Sequence, residues 1–176
     1  MIQRDFEFII ELMDEFIKKR TIKDRLNIIE KEDITGWEIW WQIEFSAFLS
    51  NHNKISYWAR ECILPVDKRT KWKKEKMAID FLIKQKYSKK DSYIALELKQ
   101  HKSMKQCITK MMVDIDKITS VKKSYDILRS FWNIGIHKLE NDEKSEKIIN
   151  EVTHRLYKDC NYTQHIKKTN FAFTIF

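Results

Sequence analysis

The hydrophobic period of the chain first changes at "NHN" (51–53), and that change constrains the fold more than any other feature. Before it, apolar residues recur at steps of three and four. Phe6, Ile9, Ile10, Met13 and Phe16 trace one face of a helix over residues 2–20. The stretch "KKRTIKDRLNIIEKED" reads as a charged connection with a short helical turn. A second helix is expected from an N-cap at Asp33 or Thr35 to about Ser50. After "NHN" three segments carry strand texture: 55–64, ending at Pro65, then 76–85 and 92–99. A helix over 103–120, a strand over 125–136, a helix over 140–160 and a closing strand over 170–176 complete the reading. Helices before and between strands predict an α/β fold, with a central mixed β-sheet flanked by helices. One domain over 1–176 is expected, with a helical extension (1–32), a core (33–136) and a C-terminal helix and strand (137–176).

Two Gly and one Pro in 176 residues leave little material for a glycine-rich phosphate loop. Neither a P-loop nor a dinucleotide fingerprint is present, which removes two large enzyme classes. The cysteines, Cys62, Cys107 and Cys160, are odd in number and lack CxxC spacing. They suggest neither a disulfide framework nor a zinc site and suit a reducing compartment. The first twenty residues carry acids through their apolar positions, as no signal peptide or membrane span would. A soluble, cytoplasmic protein with no membrane partner is expected. The balance of 34 Lys+Arg against 26 Asp+Glu, a formal +8, favours polyanionic partners through counterion release. A lysine-rich proteome is the competing explanation.

Three acidic positions stand among apolar neighbours. Helical spacing sets Glu44 along a broad face with Trp37, Trp40, Trp41 and Phe48. A carboxylate there needs a partner, unless it lies at the edge of the stripe and reaches water. In 76–85, strand alternation puts Met77, Ile79, Phe81 and Ile83 on one face and Ala78, Asp80 and Leu82 on the other. Asp is depleted from strand interiors, and the competing role for Asp80 is a structural Asp bonded to a neighbouring loop. In "YIALELKQH" (93–101), Glu97 and Lys99 share a face opposite Ile94, Leu96 and Leu98. If these two strands pair through "KYSKKD", Asp80 and Glu97 converge on one side of the sheet. Two nearby carboxylates repel unless a cation sits between them, and oxygen-rich groups of this type suit Mg²⁺. A lysine beside such a pair can hold or help deprotonate a water, which is the kit for phosphodiester hydrolysis.

Asp80, followed by Glu97-Leu98-Lys99, after a helix bearing Glu44, resembles the PD-(D/E)xK nuclease superfamily. The resemblance covers roughly residues 33–136, where the order helix, three strands, helix, strand matches the superfamily core. It implies a restriction-endonuclease-like three-layer fold. Asp80 and Glu97 would bind Mg²⁺, with Mn²⁺ as a substitute, and the Leu98 carbonyl would be a further ligand. Lys99 would be the catalytic lysine, and Glu44 the additional acid that many members carry on the first core helix. The implied activity is Mg²⁺-dependent endonucleolytic hydrolysis, with double-stranded DNA favoured over RNA. A homodimer and an inhibitor or complex partner are open. Ile79 stands where the motif's proline would precede Asp80, and the Gln-x-x-x-Tyr pattern of the exonuclease branch is absent, since Lys110 follows Gln106 by four.

Around these residues, "PVDKRTKWKKEK" (65–76) offers Lys68, Arg69, Lys71, Trp72, Lys73 and Lys74 as a phosphate-contacting and base-stacking hairpin. The competing role is a solvated hairpin that discourages edge pairing. Gln100, at the entrance to the next helix, is a candidate substrate contact, with an ordinary surface position as the competing role. Asp114 and Asp116 read as a solvated helix face. His137, His154 and His165 show no ligand spacing. Two other readings stay open: a non-catalytic nucleic-acid- or protein-binding module on the same fold, with Glu97–Lys99 a structural ion pair, and a toxin-type nuclease held by a partner, which keeps the chemistry.

Overall fold

The apolar stripe at the N-terminus folds as expected, into α1 (Ile2–Lys18), which buries Phe6, Phe8, Ile9, Leu12, Met13, Phe16 and Ile17. The computed structural model describes residues 2–65, 76–89, 92–118, 127–153 and 160–176. α2 (Arg20–Lys31) and α3 (Glu38–Ser50) follow, then β1 (Ile55–Pro65), β2 (Lys76–Gln85) and β3 (Tyr93–His101). α4 (Met104–Ile118) precedes β4 (Leu128–Lys138), and α5 (Asp142–Val152), β5 (Tyr162–His165) and β6 (Phe171–Ile175) close the order.

The strands form one mixed sheet in the order β1-β2-β3-β4-β6-β5. β3 and β4 run parallel, so their connection must cross over a face, and α4 makes that crossing. The other neighbours are antiparallel. α1, α2 and α3 cover one face: Ile9, Leu26, Trp41 and Phe45 share a core with Phe81, Leu96, Ile134 and Phe173 of the sheet. α4 and α5 cover the other, packing Met104, Cys107, Ile108 and Met111 with Ile148. The result is a three-layer α/β arrangement. Among the described residues, no helix is long and apolar enough to cross a membrane.

Four expectations need correction. Residues 20–31 form a full helix and not a charged connection with a short turn. Its buried stripe is only Ile22, Leu26 and Ile29, narrow enough to be masked by the surrounding charges. α3 begins at Glu38, beyond the expected caps at Asp33 and Thr35, because Gly36 (φ 69) turns the chain in the left-handed region first. β5 has only four residues and no apolar alternation, so the sequence carried no signal for it. Finally, Met77, Ile79, Phe81 and Ile83 do not share a face. Phe81 and Ile83 enter the α1–α3 core, while Ile79 joins Leu64, Leu82 and Ala95 on the α4 side, with Met77 packed beside them. The break lies where β1 and β2 pair Arg60↔Phe81 and Cys62↔Ile79 but skip Glu61 and Asp80. Glu61 sits at φ 52, a backbone that interrupts the pleat.

Two features fix the helices against the sheet. Gly135 of β4 lies so close to α4 that a Cβ there would stand 2.5 Å from Met111 Sδ and 2.7 Å from Cys107 Sγ. A residue without a side chain therefore lets α4 seat directly on β4. On the opposite face, Arg129 donates through Nε and Nη2 to the two Asp5 oxygens at 3.0 and 2.8 Å. Arg129 also donates to Gln85 Oε1, Ser130 Oγ donates to Asp5 Oδ2 (2.6 Å), and Trp132 Nε1 donates to Ser130 Oγ (3.1 Å). Asp5 is 3% exposed, so this network pins α1 to β4 through a satisfied buried charge.

Candidate active site

β2 and β3 pair at Phe81↔Leu96, Leu82↔Ala95 and Ile83↔Ile94. One more step of that register would set Asp80 opposite Glu97. The ladder stops there instead, and the Asp80 side chain replaces it. Its Oδ2 accepts the Leu98 N–H at 2.7 Å, and its Oδ1 accepts from Gln42 Nε2 of α3 at 3.0 Å. Asp80 therefore stands where the two strands fork, beside Glu97 and held by a backbone amide and a side chain that is 7% exposed.

Glu97 and Lys99 share a face, as the alternation predicted, and Lys99 meets Asp114 of α4 there. Glu97 is 6% exposed. The Lys99 ammonium donates to Glu97 Oε2 at 3.2 Å and lies 2.9 Å from Asp114 Oδ2 of α4. Asp114 is 4% exposed, so the solvated face expected of it is a correction. The reason is the closeness of α4 to β4: Lys99 is the register partner of Gly135, and Glu97 that of Asn133. Asn133 Nδ2 donates to the Met111 carbonyl at 3.2 Å, a second tie between β4 and that helix.

Glu44 does not join these groups. It sits at the edge of the aromatic stripe, 3.1 Å from Arg25 Nε of α2 and accepting from Trp40 Nε1 at 3.2 Å. The acid that α3 brings toward the site is Glu38. Burial pushes the Glu38 carboxyl above its ordinary range, against the pull of the Lys99 ammonium. The Asp80 charge adds to the rise and the Gln100 backbone N–H opposes it. Sequence reasoning passed over Glu38 because it sits in the first turn of the helix, where acids are ordinary for the dipole. Gln42, the other contact from α3, had no signal beyond its place between Trp41 and Phe45.

The electrostatics decide what the cluster can hold. Burial, and then the Asp80 charge, push the Glu97 carboxyl up to about 8, with Lys99 opposing and Asp114 adding to the rise. Burial alone would lower the Lys99 ammonium, but Glu97, Asp114 and Asp80 together outweigh it and raise it. At neutral pH Lys99 is therefore a charge and a donor and not a base. A divalent cation at Asp80 and Glu97 would take the place of the proton that Glu97 otherwise keeps up to about 8. Among the described residues no three His, Cys, Asp or Glu form a ready cage for a metal. Mg²⁺ does not require one, since it is held by one or two carboxylates and keeps several waters.

A pH dependence follows. Glu97 binds its proton more tightly in the folded chain than in the unfolded one. Its contribution to stability is complete below the ordinary glutamate range and is lost as pH rises through about 8. Thermal melts of metal-free protein should show the wild type losing stability relative to Glu97→Gln over that window. Saturating Mg²⁺ should shrink the loss, and parallel profiles for the two proteins would contradict the assignment.

Lys68, Arg69, Lys71, Trp72, Lys73 and Lys74 lie outside the described residues. Gln100 is partly exposed in β3, two positions beyond Leu98. His137 is buried, donating from Nδ1 to the Lys138 carbonyl and accepting at Nε2 from Thr174, with burial pushing its pKa down. That neutral ring is part of the β4–β6 packing. In comparisons with known proteins, no family model, no curated protein and no solved structure matches the chain.

Proposed function

We propose that the chain is a divalent-metal-dependent nuclease of the PD-(D/E)xK type, acting on double-stranded DNA in preference to RNA. The observation that carries this reading is the fork of β2 and β3. There Asp80 is fixed by the Leu98 N–H beside a buried Glu97, with a charged Lys99 one side-chain step further on. Asp80 and Glu97 would hold Mg²⁺ or Mn²⁺, with the Leu98 carbonyl as a further oxygen. When bound, the cation supplies Lewis-acid charge to a phosphate oxygen. Lys99 orients the attacking water and stabilises charge building on the phosphate through its ammonium. Gln42 keeps the Asp80 carboxylate from rotating, and Glu38 adds negative charge on the α3 side. The net charge of +8 supports a polyanionic substrate.

Incubating the purified protein with plasmid DNA and Mg²⁺ tests this directly. Cleavage should require the metal and disappear in Asp80→Asn, a variant that keeps an oxygen to accept the Leu98 N–H. Metal-independent cleavage, or cleavage that survives the substitution, would sink the proposal.

One observation favours a second reading, a non-catalytic binding module. Lys99 already has two carboxylate partners, so the cluster is also intelligible as a closed ion network. Calorimetric titration with Mg²⁺ or Mn²⁺ separates the two. A catalytic site gives a binding isotherm that Asp80→Asn removes, and a closed network gives none.

A further inference from the structure

The nuclease reading gives Asp114 no role, yet Asp114 is among the most deeply buried acids near the sheet. Three structural facts bring it there. Gly135 removes the side chain that would hold α4 away from β4, leaving Met111 and Cys107 against the strand. Asn133 grips the Met111 carbonyl. Asp114 follows Met111 by three positions, on the same face of α4. The helix is thus seated so that Asp114 Oδ2 comes within 2.9 Å of Lys99 Nζ, with the acid 4% and the lysine side chain 17% exposed.

An ammonium has three N–H donors on a freely turning bond. Here Glu97 Oε2 accepts one of them at 3.2 Å, and Asp114 Oδ2 stands 2.9 Å from the same nitrogen as its ion-pair partner. Two carboxylates from different elements hold the nitrogen in place and bias the direction left to its remaining N–H. With Glu97 as the lone partner, the ammonium would keep turning, and it could settle between Glu97 and Asp80 where a cation has to enter.

We propose that Asp114 is the positioning residue for Lys99. Its carboxylate, delivered by the close seating of α4 on β4, draws the ammonium aside from Asp80 and aims the remaining N–H at the water or phosphate oxygen. The catalytic consequence rests on the nuclease reading; the immobilisation of Lys99 does not.

Nitrogen-15 NMR of lysine side chains reads the immobilisation. An exposed ammonium exchanges its protons too fast to be seen, whereas one locked between two carboxylates gives a resolved Nζ signal. That signal is assigned to Lys99 by its loss in Lys99→Arg. Asp114→Asn should broaden or abolish it in a protein whose circular dichroism spectrum is unchanged. It should also lower kcat by about 10- to 100-fold with KM unchanged. Asp114→Glu, which keeps the charge, should restore the signal and part of kcat. If Asp114→Asn leaves the Lys99 signal as it was, the proposal is overturned, whatever the activity. If the signal is lost and an active wild type keeps its kcat, the positioning role is overturned too. A wild type that cleaves nothing removes the nuclease reading, and the NMR comparison then decides the immobilisation by itself.

Discussion

Lys99→Ala should lower kcat for Mg²⁺-dependent DNA cleavage by about 10²–10³-fold, the loss measured elsewhere when a single donor to developing charge is removed. The size follows from the state of the side chain. Carboxylates on β3, α4 and β2 keep Lys99 protonated against the cost of its burial, so it brings a full charge to a site with little water. An interaction that strengthens as charge builds on the phosphate acts on kcat, while KM should move little. Lys99→Arg should recover only a small part. A guanidinium is a planar fork, and it cannot reproduce an ammonium shared between Glu97 and Asp114. Single-turnover cleavage on a plasmid, with folding checked by circular dichroism, measures both variants. Wild-type rates in Lys99→Ala would move the chemistry elsewhere on the molecule.

The second large effect is on stability, far from the site. Arg129→Ala should cost about 3–5 kcal/mol, the range for breaking a buried pair by deleting one partner. Asp5 would be left nearly buried with Ser130 as its donor, and Gln85 would lose its contact with β4's arginine. Arg129→Lys should recover little of the loss, because the two parallel bonds to Asp5 need the guanidinium fork. Urea denaturation at constant m-value reads the difference. A change below about 1 kcal/mol would place the pair with ordinary surface ion pairs and contradict the burial.

Much of the architecture was legible because it depends on local periodicity. Residues 76–85 and 92–99 announced strands through alternation, and Glu97 and Lys99 do share a face. What escaped depends on contacts that no local pattern records. Arg129, Asp5 and Gln85 stand in three different elements, with no spacing to connect them. Asp114 looked like half of a solvated face until Gly135 was seen to draw α4 onto β4. Glu44 and Glu38 show the same limit on one helix. Spacing placed both on α3, but only tertiary packing could say that Arg25 would take Glu44 and that Glu38 would face Lys99. Ile79 likewise lies on the other face from Phe81, beside a left-handed residue at Glu61 of β1, which no periodic count anticipates.

The Asp5–Arg129 bond joins residues 124 positions apart, and the apolar faces of α1, α2 and α3 rest on strands that include β4 and β6. On the ribosome, the N-terminal helices therefore emerge long before their partners exist. Phe6, whose ring stacks on Trp132 at 5.1 Å, must wait until the last third of the chain is made, whereas Phe16 and Phe45 meet each other and Phe81 earlier. Long-range closure of this kind slows folding and leaves a sticky nascent chain.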